Sequence, residues 1–232
     1  MEKINLYKPN TSYLSFLIII TFSVLFLSSC KKDNEMNDSS MMDDSKNNNP
    51  MENTQNKTDN KMNNMSDNKM NNMINKMNDM KMSGNTEIDF VNMMIIHHQG
   101  AIDMAATEVS SGQDEDIKSM ANNIIKDQQK EIASMQSWLE KNKDKKSTSG
   151  NNSMKLMESM NVMKNPNIKM TGDADKDFVS MMILHHQGAI EMASVEIDTG
   201  TDPEIKMMAQ EIIKKQKAEV EQMKEWQNSK IK

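Results

Sequence analysis

The chain has 232 residues, a formal charge of −6, 28 methionines, one cysteine and four histidines. Its 28 basic residues are all lysine. An acidic chain without arginine lacks the clustered cations by which proteins hold nucleic acid or anionic lipid, so nucleic acid is excluded as a partner.

Residues 1–29 read as a lipoprotein signal peptide. Lys3 and Lys8 form a basic start, an apolar run follows from Leu14 to Leu27, and Leu27-Ser28-Ser29-Cys30 is a small-residue cleavage box. The run is short of the roughly 20 apolar residues that a spanning helix needs, and it ends where a signal peptide should. Cys30 is then the lipidated first residue, which leaves the rest without a free thiol or disulfide. The chain is expected outside the cytoplasm, lipid-anchored to a bacterial membrane at its periplasmic or outer-membrane face.

Residues 30–85 read as a disordered tether rich in Met, Asn and Lys, with too little apolar surface to offset the entropy of ordering. Methionines recur in it at a spacing of three, as Met62 and Met65, then Met70 and Met73, followed by Met77, Met80 and Met82. A flexible strand with such spacing can wrap several thioethers around Cu(I) or Ag(I), soft ions that prefer sulfur. The competing explanation is a spacer in which i and i+3 methionines merely share a nascent helix face.

Beyond the tether lies a tandem duplication with an offset of 88 residues, in which Asp89–Ala105 and Asp177–Ala193 agree at fourteen of seventeen positions. The repeats occupy 86–140 and 174–232, separated by a Met-rich connector over 141–173 that carries Met154, Met157, Met160 and Met163. Each repeat reads as two helices. The first spans about residues 88–109 and stops before Gly112 (Gly200 in the second repeat), and the next spans about 114–141 (202–228). Apolar residues at Ile117, Met120, Ala121, Ile124, Ile125, Ile132, Met135 and Trp138 keep helical intervals. Pro203 falls in a first turn, where its missing N–H is harmless. One hairpin offers too little core alone, so the predicted fold is all-α, a four-helix bundle of two repeated hairpins.

All four histidines lie in a doubled motif, His97-His98-Gln99-Gly100-Ala101-Ile102-Asp103-Met104 and His185-His186-Gln187-Gly188-Ala189-Ile190-Glu191-Met192. At about 100° per residue, His97 and His98 fall on the bundle-facing half, with Met93, Gly100 and Met104 on the stripe of His97 and Met94 one turn before His98. Gly100 and Ala101 leave room beside the imidazoles. Inward His is usually a satisfied core residue and a Met stripe is usually filling. Four buried histidines, however, each need a hydrogen-bond partner. Imidazole nitrogen with thioether sulfur from one face suits copper and silver. The predicted metal ligands are therefore His97, His98, Met93, Met94 and Met104, with His185, His186, Met181, Met182 and Met192. Binding through them should weaken as imidazoles protonate below about pH 6.5.

The pattern Phe-Val-x-Met-Met-Ile-x-His-His-Gln-Gly-Ala-Ile-x-Met-Ala resembles the bacterial ferritin-like family called domain of unknown function 305. The likeness covers roughly residues 86–140 and 174–228 and occurs twice. It implies a helical-bundle protein of the export compartment tied to copper handling, and it implies the same His and Met positions as ligands.

An enzyme is not expected. Di-iron bundles use Glu-x-x-His pairs, and this chain has none, although Glu108 and Glu196 lie on the inward side. No Gly-x-Ser-x-Gly elbow or phosphate-cradling glycine loop occurs. A structural lipoprotein with Met and His as core filling is the remaining alternative. The reading that follows is a copper-binding lipoprotein that sequesters or relays Cu(I), with Cu(II) and Ag(I) as further cargoes and a copper-exporting or copper-accepting protein as its partner.

Overall fold

The computed structural model describes residues 68–146, 152–164, 168 and 170–230. The signal segment, Cys30 and the tether through residue 67, with Met62 and Met65, lie outside the described residues. The described chain is all-α: α1 (68–78), α2 (Thr86–Ser111), α3 (Glu115–Asn142), α4 (Asn152–Ser159), α5 (Asn161–Lys164), α6 (Ala174–Thr199) and α7 (Pro203–Lys230). The four long helices begin and end within a few residues of the predicted bounds. Among the described residues, no helix is long and apolar enough to cross a membrane.

Each long helix starts at an Asn or Asp that accepts otherwise unpaired amide protons. Asn85 accepts from Ile88, Asp114 from Asp116 and Ile117, Asp173 from Lys176, and Asp202 from Glu204 and Ile205. Before α2 and α6 the chain turns at Gly84 and Gly172, at φ 80° and 89°, a conformation that costs glycine nothing. The buried carboxylates of Asp89 and Asp177 reach back to accept the amides of Ser83 and Gly84, and of Thr171 and Gly172.

Gly112 and Gly200 stop α2 and α6 in extended backbone, at φ −64° and −68°. Left-handed freedom is therefore not their use. Space is: a Cβ would lie 1.9 Å from Glu108 Oε1 at the first and 1.9 Å from Glu196 Oε1 at the second.

Helices α2 and α6 pack on each other, α3 lies on α2, and α7 lies on α6. Glu87 at the start of α2 accepts from Thr201 N, Thr201 Oγ1 and Asp202 N at the α6–α7 turn, at 2.7, 2.7 and 3.2 Å. Asp175, its counterpart on α6, accepts from Gln113 N and Asp114 N at the α2–α3 turn. Each hairpin thus caps the other's loop, which fixes α2 and α6 as an antiparallel central pair.

The remaining face of that pair is covered by the Met-rich segments. Met70, Met73, Ile74 and Met77 of α1 are buried, as are Leu156, Met160 and Met163 around α4 and α5. This corrects the predicted tether, which ran to residue 85. Residues 68–78 order because their apolar positions fall at helical spacing on one side and borrow a core that the hairpins already supply. The methionines of the connector are likewise packed, except the exposed Met154. Removing residues 1–80 is expected to lower urea stability by at least about 3 kcal/mol relative to removing 1–67, through the buried side chains of α1. Equal midpoints for the two truncations would return 68–80 to the tether.

Candidate metal centre

Helix α2 presents three neighbouring positions in three directions. His98 turns toward α3, where its Nε2 meets Glu131 Oε2 at 2.8 Å. His97 turns toward α6, where its ring lies over His185 with centroids 3.6 Å apart and planes tilted by 44°. Gly100 turns the third way and receives α1: a Cβ there would lie 2.6 Å from Met73 Sδ. The second repeat does the same. His186 Nε2 meets Glu219 Oε2 on α7 at 2.6 Å, His185 meets His97, and Gly188 receives Met163, whose Sδ would be 2.4 Å from a Cβ.

All four imidazoles are fully buried, and so are Met93, Met94, Met104, Met181, Met182 and Met192. The predicted ligands therefore share one core, but the histidines split into a central pair from opposite hairpins and two lateral ones tied to glutamates. The centroids of neighbouring rings, His97 to His98 and His185 to His186, stand 6.4 and 6.2 Å apart. Across the pair, His185 Nε2 lies 3.1 Å from Met73 Sδ.

Donor atoms are left over. The Nδ1 of every histidine and the Nε2 of His97 are buried without a protein partner, as are both amide atoms of Gln128 and of Gln216. Unpaired buried polar atoms are scarce in native proteins and call for a ligand or solvent. Burial first, and then the charges of the neighbouring histidines, hold His97 and His185 well below the usual imidazole range. Both are neutral at pH 7, with a lone pair free to bind a metal. Burial pushes the Glu131 carboxyl up, but the His98 hydrogen bond and the Lys215 ion pair outweigh it and leave Glu131 below its ordinary value. A carboxylate that takes one ring N–H and leaves the other nitrogen free is the usual companion of a metal-binding histidine.

Among the described residues, no three of the His, Cys, Asp and Glu side chains converge to hold one ion. The donors that this core gathers, thioether sulfur and imidazole, are those that select soft ions such as Cu(I) and Ag(I). The inward glutamates sit apart from the histidines. Glu108 and Glu196 are buried at the ends of α2 and α6, their carboxyl groups pushed up to about 8 by burial and by neighbouring acids, Asp175 beside Glu108 and Glu87 beside Glu196.

Sequence reasoning missed Met73 and Met163 as neighbours of the motif, and Glu131, Glu219, Gln128 and Gln216 altogether. The signals were present. Met70 and Met73 match Met160 and Met163 once the offset is 90 instead of 88, and Gln128 and Glu131 match Gln216 and Glu219 at 88.

The fold and site define a duplicated His/Met helical hairpin closed into one bundle. The profile of the family described as Domain of unknown function (DUF305) matches residues 28–139 and 87–227, and the chain belongs to that family. Among solved structures it is similar to CopM in the Cu(I)-bound form, with 32% identity over 62% of this chain and 96% of that one and a TM-score of 0.49. CopM in an Ag-bound form gives 31%, 62%, 96% and 0.48. A DUF305 fragment from Deinococcus radiodurans gives 26%, 60%, 93% and 0.47. No curated protein matches the chain.

Proposed function

We propose that this protein is an extracytoplasmic lipoprotein, anchored through Cys30, that sequesters Cu(I) or relays it to a copper-exporting or copper-accepting partner, with Cu(II) and Ag(I) as further cargoes. The observation that carries the reading is the central pair: two neutral, buried imidazoles from opposite hairpins, with unpartnered ring nitrogens and a thioether 3.1 Å from His185 Nε2. Neutral imidazole and thioether are ligands for a soft ion. His97 and His185 form the shared centre, and His98 and His186, each braced by a glutamate, supply lateral nitrogens. Met93, Met94, Met104, Met181, Met182 and Met192 provide the sulfur-rich surroundings. Because burial holds the central imidazoles low, protons should compete for them at a lower pH than the ordinary 6.5.

Anaerobic competition titration against a chromophoric Cu(I) chelator tests this. The chain should compete, and His97→Gln/His185→Gln should weaken it by 100-fold or more, the upper range for loss of even a supporting group. Absence of competition by the unaltered chain would leave a structural bundle, the reading that the hydrogen-bonded His98–Glu131 and His186–Glu219 pairs favour on their own.

A further inference from the structure

The two hairpins repeat each other closely, yet their methionines meet the shared centre differently. A solvent-open groove of about 280 Å³ runs between α1, α2 and α3, lined by Lys69, Met73, Ile96, Gln99, Gly100 and Asp103 among others. Its wall is pinned by Lys69, whose ammonium donates to Asp103 O at 2.5 Å and Thr107 Oγ1 at 2.6 Å and so clips α1 to α2. Met73 lines this groove on one side and touches His185 Nε2 on the other. Met163 occupies the matching place over Gly188, but unlike Met73 it makes no hydrogen bond to the facing histidine: the ring nitrogens of His97 have no hydrogen-bond partner among the described residues.

We infer that Met73 is the loading ligand of the central site, taking a soft monovalent ion from the groove and handing it to His185. This rests on the copper-binding reading above. Methionine suits the task because three rotatable bonds let its sulfur swing without moving the helix, and because a thioether holds Cu(I) without having to lose a proton. The transfer is a ligand exchange. The ion leaves its carrier for the Met73 sulfur, then bonds imidazole nitrogen while still in reach of that sulfur, with no change of oxidation state. In the metal-free chain the 3.1 Å contact is a hydrogen bond from Nε2–H to sulfur, so loading requires the tautomer in which the single ring proton sits on Nδ1 and Nε2 offers its lone pair. Gly100 is what lets the sulfur stand between groove and ring. A methyl group there would meet Met73 Sδ at 2.6 Å and Cγ at 2.9 Å.

The symmetry of the fold supplies its own control. Anaerobic stopped-flow transfer from a chromophoric Cu(I) chelator to the full-length chain would be recorded for the wild type, Met73→Leu, Gly100→Ala, Met163→Leu and Gly188→Ala. Met73→Leu and Gly100→Ala should load roughly tenfold or more slowly, the scale of loss when a group supporting a metal site is removed. Met163→Leu and Gly188→Ala, which disturb the matching packing, should load at the wild-type rate. Equal slowing by both pairs, or none by either, would overturn the assignment. No transfer to the wild type would instead sink the copper reading itself. Circular dichroism of all four variants separates slow loading from failure to fold. If Met73→Leu unfolds, Met73→Gln, which keeps length without sulfur, carries the test.

Discussion

Between pH 8 and 4.5 the metal-free protein is expected to show two opposing slopes in stability, and substitution should separate them. His97 and His185 are held well below 6.5 by burial first and then by the charges of neighbouring histidines, His98 and His186 for the one and His97, His186 and His98 for the other. The unfolded chain takes up their protons below pH 6.5 while the folded chain does not. Stability is therefore lost as pH falls, by about 1.4 kcal/mol per pH unit for each histidine. Glu108 and Glu196 act the other way. Their folded values of about 8 lie above the unfolded 4.5, so the folded chain keeps protons that the unfolded chain has released. Their contribution is fully present below 4.5 and is lost as pH rises through 8. The carboxylates held low, such as Glu87 and Glu131, act below this window. Urea unfolding from pH 8 to 5 should then give rising stability down to 6.5 and a near plateau beneath it. In Glu108→Gln/Glu196→Gln the plateau should become a fall of roughly 3 kcal/mol per pH unit. In His97→Gln/His185→Gln it should become a continued rise. Parallel profiles for the wild type and the histidine variant would mean that the central imidazoles are not held neutral.

Glu87→Ala is expected to destabilise the fold by about 3 kcal/mol, because it removes one buried carboxylate that accepts three hydrogen bonds at the other hairpin's turn. Glu87→Gln keeps an acceptor oxygen and should cost about 1 kcal/mol. Asp175→Ala removes the matching cap, and because the two caps lie at opposite ends of the central helix pair their costs should add. The double variant then loses about 5 kcal/mol, comparable with the whole stability of many domains, and should be largely unfolded at 37 °C by circular dichroism. A shift within about 0.5 kcal/mol, as for ordinary surface positions, would show that the hairpins hold together without these caps. The charge of Glu87 also raises the Glu196 carboxyl, so Glu87→Gln should return Glu196 toward the ordinary carboxylate range.

The long helices and their pairing were legible because a strict repeat places apolar residues at helical intervals over more than twenty positions. The histidine motif was legible as chemistry because Gly100, Ala101 and the flanking methionines mark a face kept small and soft. What sequence could not convey was direction. Helical angles put His97 and His98 on one half of α2, but their partners, His185 for one and Glu131 for the other, lie on different helices. The segment over 68–78 was illegible for another reason. Its Asn, Asp and Lys make it look unable to fold, and alone it has little to bury; its order comes from the face of α2 and α6 that it covers. Glu108 could be seen to point inward, yet nothing in the chain announced that Gly112 is glycine to make room for it.

The exchange of caps between hairpins has a bearing on how the molecule came by its centre. A polypeptide with a single repeat would leave its own turn amides unanswered until a second copy arrived, and its lone central histidine would find a partner only across that association. Its imidazole pair would then exist in proportion to the square of its abundance. Joining the two repeats in one chain replaces that dependence with a fixed local concentration. The pair is assembled at any dilution.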